Sequence, residues 1–149
     1  IVGEACHFID IARYLIGAGI TDAEIRVMED PRGVGDTASV GLTFADGSIA
    51  TIHYVANGNR RVPKERIEVY QDQRIYRLTN FRRLEGFGSR LKGRSRRQDK
   101  GQKGCVEAFL EAVRAGGPDP IPFSELEEVS RVSIQLAQAG RAGGGPAGS

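Results

Sequence analysis

The 149-residue sequence is poor in the residues that would announce a secreted, membrane or zinc-bound protein. It holds two cysteines, Cys6 and Cys105, too few for a disulfide-knit module, and reads them as buried thiols in a reducing compartment. It holds two histidines, His7 and His53, and the thiols lie far apart, so zinc-ligand spacing is absent. No apolar run reaches the ~18 residues that a membrane span needs, and no basic-then-apolar leader opens the chain. The expectation is a soluble, cytoplasmic protein. No Gly-x-Gly-x-x-Gly follows a strand, so the dinucleotide fingerprint is missing. No strand–helix–strand series appears either.

What is present suits one globular domain. Hydrophobic residues make up 40% and charged residues 27%, near the average for folded proteins. A chain this long hides roughly 70% of its unfolded surface. Residues 1–140 read as the domain and 141–149 as a flexible tail of small residues. The opening, Ile1 followed directly by a helix, reads as part of a longer chain.

The net charge of +2 is unevenly spread. From Arg82 to Lys103 nine basic residues face only Glu85 and Asp99, so this stretch carries +7 and the remainder −5. Such a segment favours an anionic partner. Three readings stand: a solvated loop, a site for an anionic sugar or its diphosphate, and nucleic acid. The last has little aromatic interleaving to support it, only Phe81 and Phe87.

Periodicity predicts a helix from Glu4 to Ile16, stopped by Gly17. A strand follows over Glu24–Met28, then a loop at Pro31, Gly33 and Gly35. Thr37–Phe44 and Ser48–Ala56 flank Asp46-Gly47, a strong two-residue hairpin signal. Centred there, the turn opposes Phe44 with Ile49, Leu42 with Thr51, Val40 with His53, and Ala38 with Val55. This apolar face should pack on helices and leave the other open. A second hairpin pairs Arg66–Gln71 with Arg74–Thr79 around Asp72-Gln73, opposing Val69 with Tyr76, Ile67 with Leu78, and Glu68 with Arg77. Phe81–Gly104 reads as one long polar loop. Helices are predicted over Cys105–Ala115, with Val106, Phe109, Leu110 and Val113 on one face, and from Ser124, where Ser124 and Glu127 suggest a capping box. The order implies an α+β fold: a mainly antiparallel, open-faced sheet with helices packed on one face.

Glu4, His7 and Asp10 recur at three-residue steps on one side of the first helix. An imidazole between carboxylates can be held in one tautomer and pass a proton. The structural alternative is that Glu4 serves the helix N-terminus and Asp10 pairs with Arg13 or Arg82.

The stretch from Glu4 to Leu15, with its His7-x-x-Asp10, resembles the helix that opens the C-terminal domain of the Gfo/Idh/MocA oxidoreductases. Phe44–Tyr54 is similar to that family's central hairpin. Pro63–Tyr70 and Asn80–Leu84 resemble its following strands, Gln98–Gly101 the approach to its late helix, and Pro120–Phe123 the approach to its last. The likeness covers Val2 to about Ala137. It is strongest to bi-domain chains with a preceding zinc-alcohol-dehydrogenase-like part.

The resemblance implies a substrate-binding and oligomerisation part of an NAD(P)-dependent oxidoreductase acting on a sugar or nucleotide sugar. NAD or NADP would be bound by a separate N-terminal domain, and none in this piece, which alone would be inactive. His7 corresponds to the family's acid/base, and Asp10 to a supporting acid. Many members carry an Asp four residues before the His; here that position is Gly3, and Glu4 follows it. Lys64, Arg96 and Lys100 are candidate anion contacts, and the open sheet face a candidate homo-oligomer contact. The second hypothesis, from another class, is a non-catalytic assembly or anion-binding module that keeps the fold.

Overall fold

The computed structural model describes residues 2–28, 37–59 and 61–143, with side chains described from residue 5 to residue 142. The expected loop at Pro31, Gly33 and Gly35 and the end of the expected tail lie outside these residues. The fold is α+β, and among the described residues every strand pairing is antiparallel. Two units are distinguished, 1–57 with 121–149, and 58–120.

The first unit holds α1 (Val2–Ile16), β1 (Ile20–Val27), β2 (Thr37–Phe44), β3 (Ile49–Val55) and α3 (Phe123–Gly143). The strands form one sheet in the order β1-β2-β3. Glycine ends α1 as expected: Gly17 adopts φ 76° and donates its N–H to the Arg13 carbonyl. Strand β2 alternates strictly. Ala38, Val40, Leu42 and Phe44 point inward and are buried. Val40, Leu42 and Phe44 meet Ile9 of α1 and Val129, Val132 and Leu136 of α3 in one core. Each such aliphatic or aromatic side chain contributes roughly 1.5–3 kcal/mol by leaving water. Helix α3 starts at Phe123, one residue earlier than expected. Ser124 therefore sits inside the first turn, and the N–H groups of Glu125 and Leu126 donate to the Pro122 carbonyl.

The β2–β3 register differs by one residue from the expected one. Val40 faces Ile52, Leu42 faces Ala50, and Ala38 faces Tyr54. The cause is the turn. Gly47 at φ 84° donates to the Phe44 carbonyl, and Phe44 donates to the Ser48 carbonyl, giving a loop with Ala45, Asp46 and Gly47 in place of two residues. Three-residue hairpins of this kind end on a residue in the left-handed region, which suits glycine. A one-residue shift exchanges the two faces of a strand. Ala50, Ile52 and Tyr54 are thus the half-buried side, while Ile49, Thr51, His53 and Val55 are exposed.

The second unit holds β4 (Arg66–Gln71), β5 (Arg74–Thr79), β6 (Arg83–Phe87), β7 (Lys92–Arg94) and α2 (Gln102–Ala115). The strands form a second sheet, β4-β5-β6-β7. Here the hairpin register is as expected, with Val69 opposite Tyr76, Ile67 opposite Leu78 and Glu68 opposite Arg77. Asp72 (φ 48°) and Gln73 (φ 61°) both enter the left-handed region that a primed turn requires.

The expected long loop contains two short strands. Arg83–Phe87 pairs with β5, and Lys92–Arg94 pairs with β6. Their charged residues sit on one side of a sheet, so no hydrophobic alternation marked them. Gly86 is required there, because a Cβ would lie 2.6 Å from the Leu91 carbonyl oxygen. Helix α2 ends at Gly116 in the left-handed conformation. Its apolar face is exposed, since Val106, Phe109, Leu110 and Val113 all remain accessible. Among the described residues, none of α2 is buried. Cys105 is exposed and Cys6 half-buried, so the expectation of two buried thiols fails.

Candidate active site

Helix α1 presents the His7 side chain to solvent. Ala5 and Ile9, the positions two before and two after, are buried against the sheet and α3, which turns His7 outward into solvent. Asp10, one helical turn on, is half-buried. No hydrogen bond joins His7 to Asp10 among the described residues. The Glu4 backbone lies in α1, and its side chain is outside the described ones. The three positions share a helix side by their spacing, and of His7 and Asp10 the imidazole is the more exposed.

Arg13 is not Asp10's partner. Its Nε donates to Glu128 of α3 at 2.7 Å, and its guanidinium lies 3.6 Å from Glu125. The second oxygen of Glu128 accepts the Ile20 N–H at 2.6 Å. Burial works to raise the Glu128 pKa, but the Arg13 hydrogen bond and the Ile20 N–H outweigh it and hold the carboxyl below its ordinary value of 4.5. Glu128 thus fastens the end of α1 and the start of β1 to α3. Sequence reading missed it. The signal available was its place three residues after Glu125 and four before buried Val132, at the edge of the inward stripe.

The three anion candidates, Lys64, Arg96 and Lys100, belong to the second unit. Lys64 and Arg96 are exposed. The Arg96 carbonyl accepts a hydrogen bond from Arg82 at 2.7 Å. Lys100 is committed elsewhere. Its Nζ sits 2.8 Å from Oε1 of Glu65, whose side chain is only 6% exposed. The other Glu65 oxygen accepts from Gln98 at 3.2 Å, and Gln98 also donates to Asn80. A buried carboxylate needs such partners, so Lys100 has a structural task that competes with ligand binding.

A second network lies on β4 and β5. Arg77 Nε donates to Glu68 at 2.6 Å, and the Tyr70 hydroxyl donates to the other Glu68 oxygen at 2.9 Å. The Arg77 bond, followed by that of Tyr70, lowers the Glu68 pKa; the same bonds raise those of Tyr70 and Arg77. Arg77 also lies over the Phe87 ring, 5.3 Å from its centroid. Elsewhere, Ser39 Oγ lies 2.8 Å from His53 Nδ1 on the exposed face of β2 and β3.

Among the described residues no group of His, Cys, Asp and Glu could hold a metal ion. None of the described helices is long and apolar enough to cross a membrane.

No family profile matches the sequence, and no curated protein matches it. Solved structures do match. UDP-N-acetylglucosamine 3-dehydrogenase from Acidithiobacillus ferrooxidans aligns with TM-score 0.71 at 19% identity, over 90% of this chain and 44% of its own. A levoglucosan dehydrogenase in complex with NADH gives 0.71 at 17%, over 93% and 47%. An oxidoreductase from Agrobacterium radiobacter, in complex with NAD+, L-tartaric acid and magnesium, gives 0.72 at 16%, over 94% and 46%. This chain shares their fold. The likeness to the Gfo/Idh/MocA oxidoreductases read in the sequence therefore holds at the level of architecture. The chain spans less than half the length of each of these neighbours.

Proposed function

We propose that this chain is the substrate-facing part of an NAD(P)-dependent oxidoreductase acting on a sugar or sugar derivative, with His7 as its acid/base. The observation that carries the reading is an imidazole presented to solvent from a helix whose other side is buried, within a fold shared with sugar dehydrogenases. In alcohol oxidation His7 would accept the hydroxyl proton, and in the reverse direction return it to the carbonyl oxygen. Asp10 and Glu4 are the supporting acids on the same helix side.

The nicotinamide supplies hydride chemistry when bound. The antiparallel sheets of this chain do not form the strand–helix–strand crevice that cradles a dinucleotide. Cofactor binding is accordingly assigned to another domain, and the isolated chain is expected to be inactive. Lys64 and Arg96 remain anion contacts in this proposal, with Lys100 available only in exchange for Glu65. The exposed side of β2 and β3, including Ile49 and Val55, is the homo-oligomer face. Two free cysteines suit a cytoplasmic setting.

The decisive experiment is His7→Ala in a chain that contains both this part and its dinucleotide-binding partner. Turnover should fall by ~10²-fold or more, with the melting temperature unchanged. An unaltered rate removes His7 from the chemistry and leaves the non-catalytic module, a reading favoured by the missing His7–Asp10 hydrogen bond.

A further inference from the structure

The register of the second sheet gathers its charge on one side. Cross-strand partners share a face, and so do alternate residues along a strand. Glu68 faces Arg77, Arg77 faces Glu85, and Glu85 faces Lys92; one step along, Arg83 faces Arg94. Arg66 joins this face from β4, so five cations stand against two carboxylates, a net +3.

Two carboxylates cannot neutralise this set. Glu68 is taken by Arg77, with Arg66 3.9 Å away, and Glu85 is taken by Arg83 at 2.8 Å. Lys92 and Arg94 have no ion-pair partner among the described residues. Like charges directly opposite one another destabilise a sheet, yet Arg83 and Arg94 occupy such a pair. An open concavity of about 580 Å³ runs along β6 and β7, lined by Arg83–Phe87 and Lys92–Arg94. Phe87, 45% exposed, lies in it with one ring face covered by Arg77.

We propose that the charged β6–β7 surface binds a nucleoside phosphate: Arg83, Lys92 and Arg94 take the phosphate oxygens and Phe87 stacks on the base. Guanidinium groups match phosphate oxygens as two-pronged donors, and aromatic rings stack on any base. Arg83 has donors left beside its one bond to Glu85, and an anion held by them gives Arg94 the counter-charge it lacks. The same chemistry occurs in a free nucleotide and in a single-stranded nucleic acid. The site stands independently of the oxidoreductase reading, for it uses neither His7 nor any residue of the first unit.

The test titrates the full 149-residue chain at low ionic strength with uridine diphosphate, inorganic tripolyphosphate and a fluorescent oligothymidylate. Binding of the uridine diphosphate or the oligomer is expected. Affinity that rises with oligomer length and falls steeply with salt assigns a nucleic acid; length-independent affinity assigns a free nucleotide. The double variant Lys92→Ala/Arg94→Ala should weaken binding about tenfold or more. Phe87→Ala should weaken uridine diphosphate and leave tripolyphosphate unchanged. Lys103→Ala/Arg114→Ala, which removes the same charge from α2, should bind as the parent does. All these positions are exposed, and circular dichroism checks that each variant folds. Absence of binding to any nucleotide probe, an unaffected Lys92→Ala/Arg94→Ala variant, or an equal loss in the α2 control overturns the proposal.

Discussion

Arg13 and Glu128 meet at 2.7 Å across 115 residues of sequence, joining the last turn of α1 to α3. Glu128 also holds the Ile20 N–H. Both side chains are mostly covered, 12% and 15% exposed. Removing the carboxylate leaves a sheltered guanidinium and a backbone donor without their acceptor. Glu128→Ala should therefore destabilise the protein by about 1.5–3 kcal/mol, the scale for hydrogen bonds to charged groups. Urea unfolding followed by circular dichroism measures it. A change below half a kcal/mol (~0.5) would mean that the pair is a surface ornament.

The same carboxyl gives a pH dependence of known sign. Its pKa is lowered in the folded state, so its contribution is complete above the ordinary value of 4.5 and disappears as the pH falls through the folded value. Glu128→Gln should be less stable than the parent at neutral pH. The gap should close on acidification below about 4.5, as the parent becomes protonated. Denaturant midpoints across that range decide it, and a gap independent of pH would contradict the assignment.

Tyr70 offers a spectroscopic check on the second sheet. Its hydroxyl donates to Glu68, and that bond, then the carboxylate's charge, raises its pKa above the usual 10.0. In an ultraviolet phenolate titration, the difference between the parent and Tyr70→Phe should show Tyr70 ionising later than a free tyrosine. Glu68→Gln should bring that titration back towards the ordinary value.

The turn at Asp72-Gln73 can be improved. Gln73 sits at φ 61°, where a side chain is strained and glycine is not. Gln73→Gly should stabilise the protein by about 1 kcal/mol. Gly47→Ala should cost about the same amount, because φ is 84° and no neighbouring atom lies within 4 Å of the new methyl group. Thermal melts of the two variants should move in opposite directions.

Much of this fold could be read directly from residues. The 3.6-residue stripe of α1, the alternation of β2 and the flanks of Asp72-Gln73 fixed elements and one register, because local chemistry and final packing agreed there. Three things escaped. The Ala45–Gly47 loop closes with one residue more than the Asp-Gly signal suggests, and the dipeptide does not reveal its hydrogen-bond pattern. Strand β6 is held by ladder bonds to β5, and β7 by ladder bonds to β6, which leave no hydrophobic rhythm in Arg83–Arg94. The Val106–Val113 stripe marked a helix correctly, but amphipathicity does not specify a partner. For the candidate site, the spacing that sets Glu4, His7 and Asp10 on one side of α1 was legible, but the exposure of His7 was not. The capture of Arg13 by Glu128 and of Lys100 by Glu65 was not, since both join residues far apart in the chain.

The Ala45–Gly47 turn has an evolutionary corollary. Because neighbouring side chains on β3 alternate between core and surface, the parity of this short connection decides which half of the strand is interior. Loss of Ala45 alone would press Ile49, Thr51, His53 and Val55 towards the helices and expel Ala50, Ile52 and Tyr54. Descendants of this chain can therefore vary the turn's composition readily, but its length only by a compensated pair of changes.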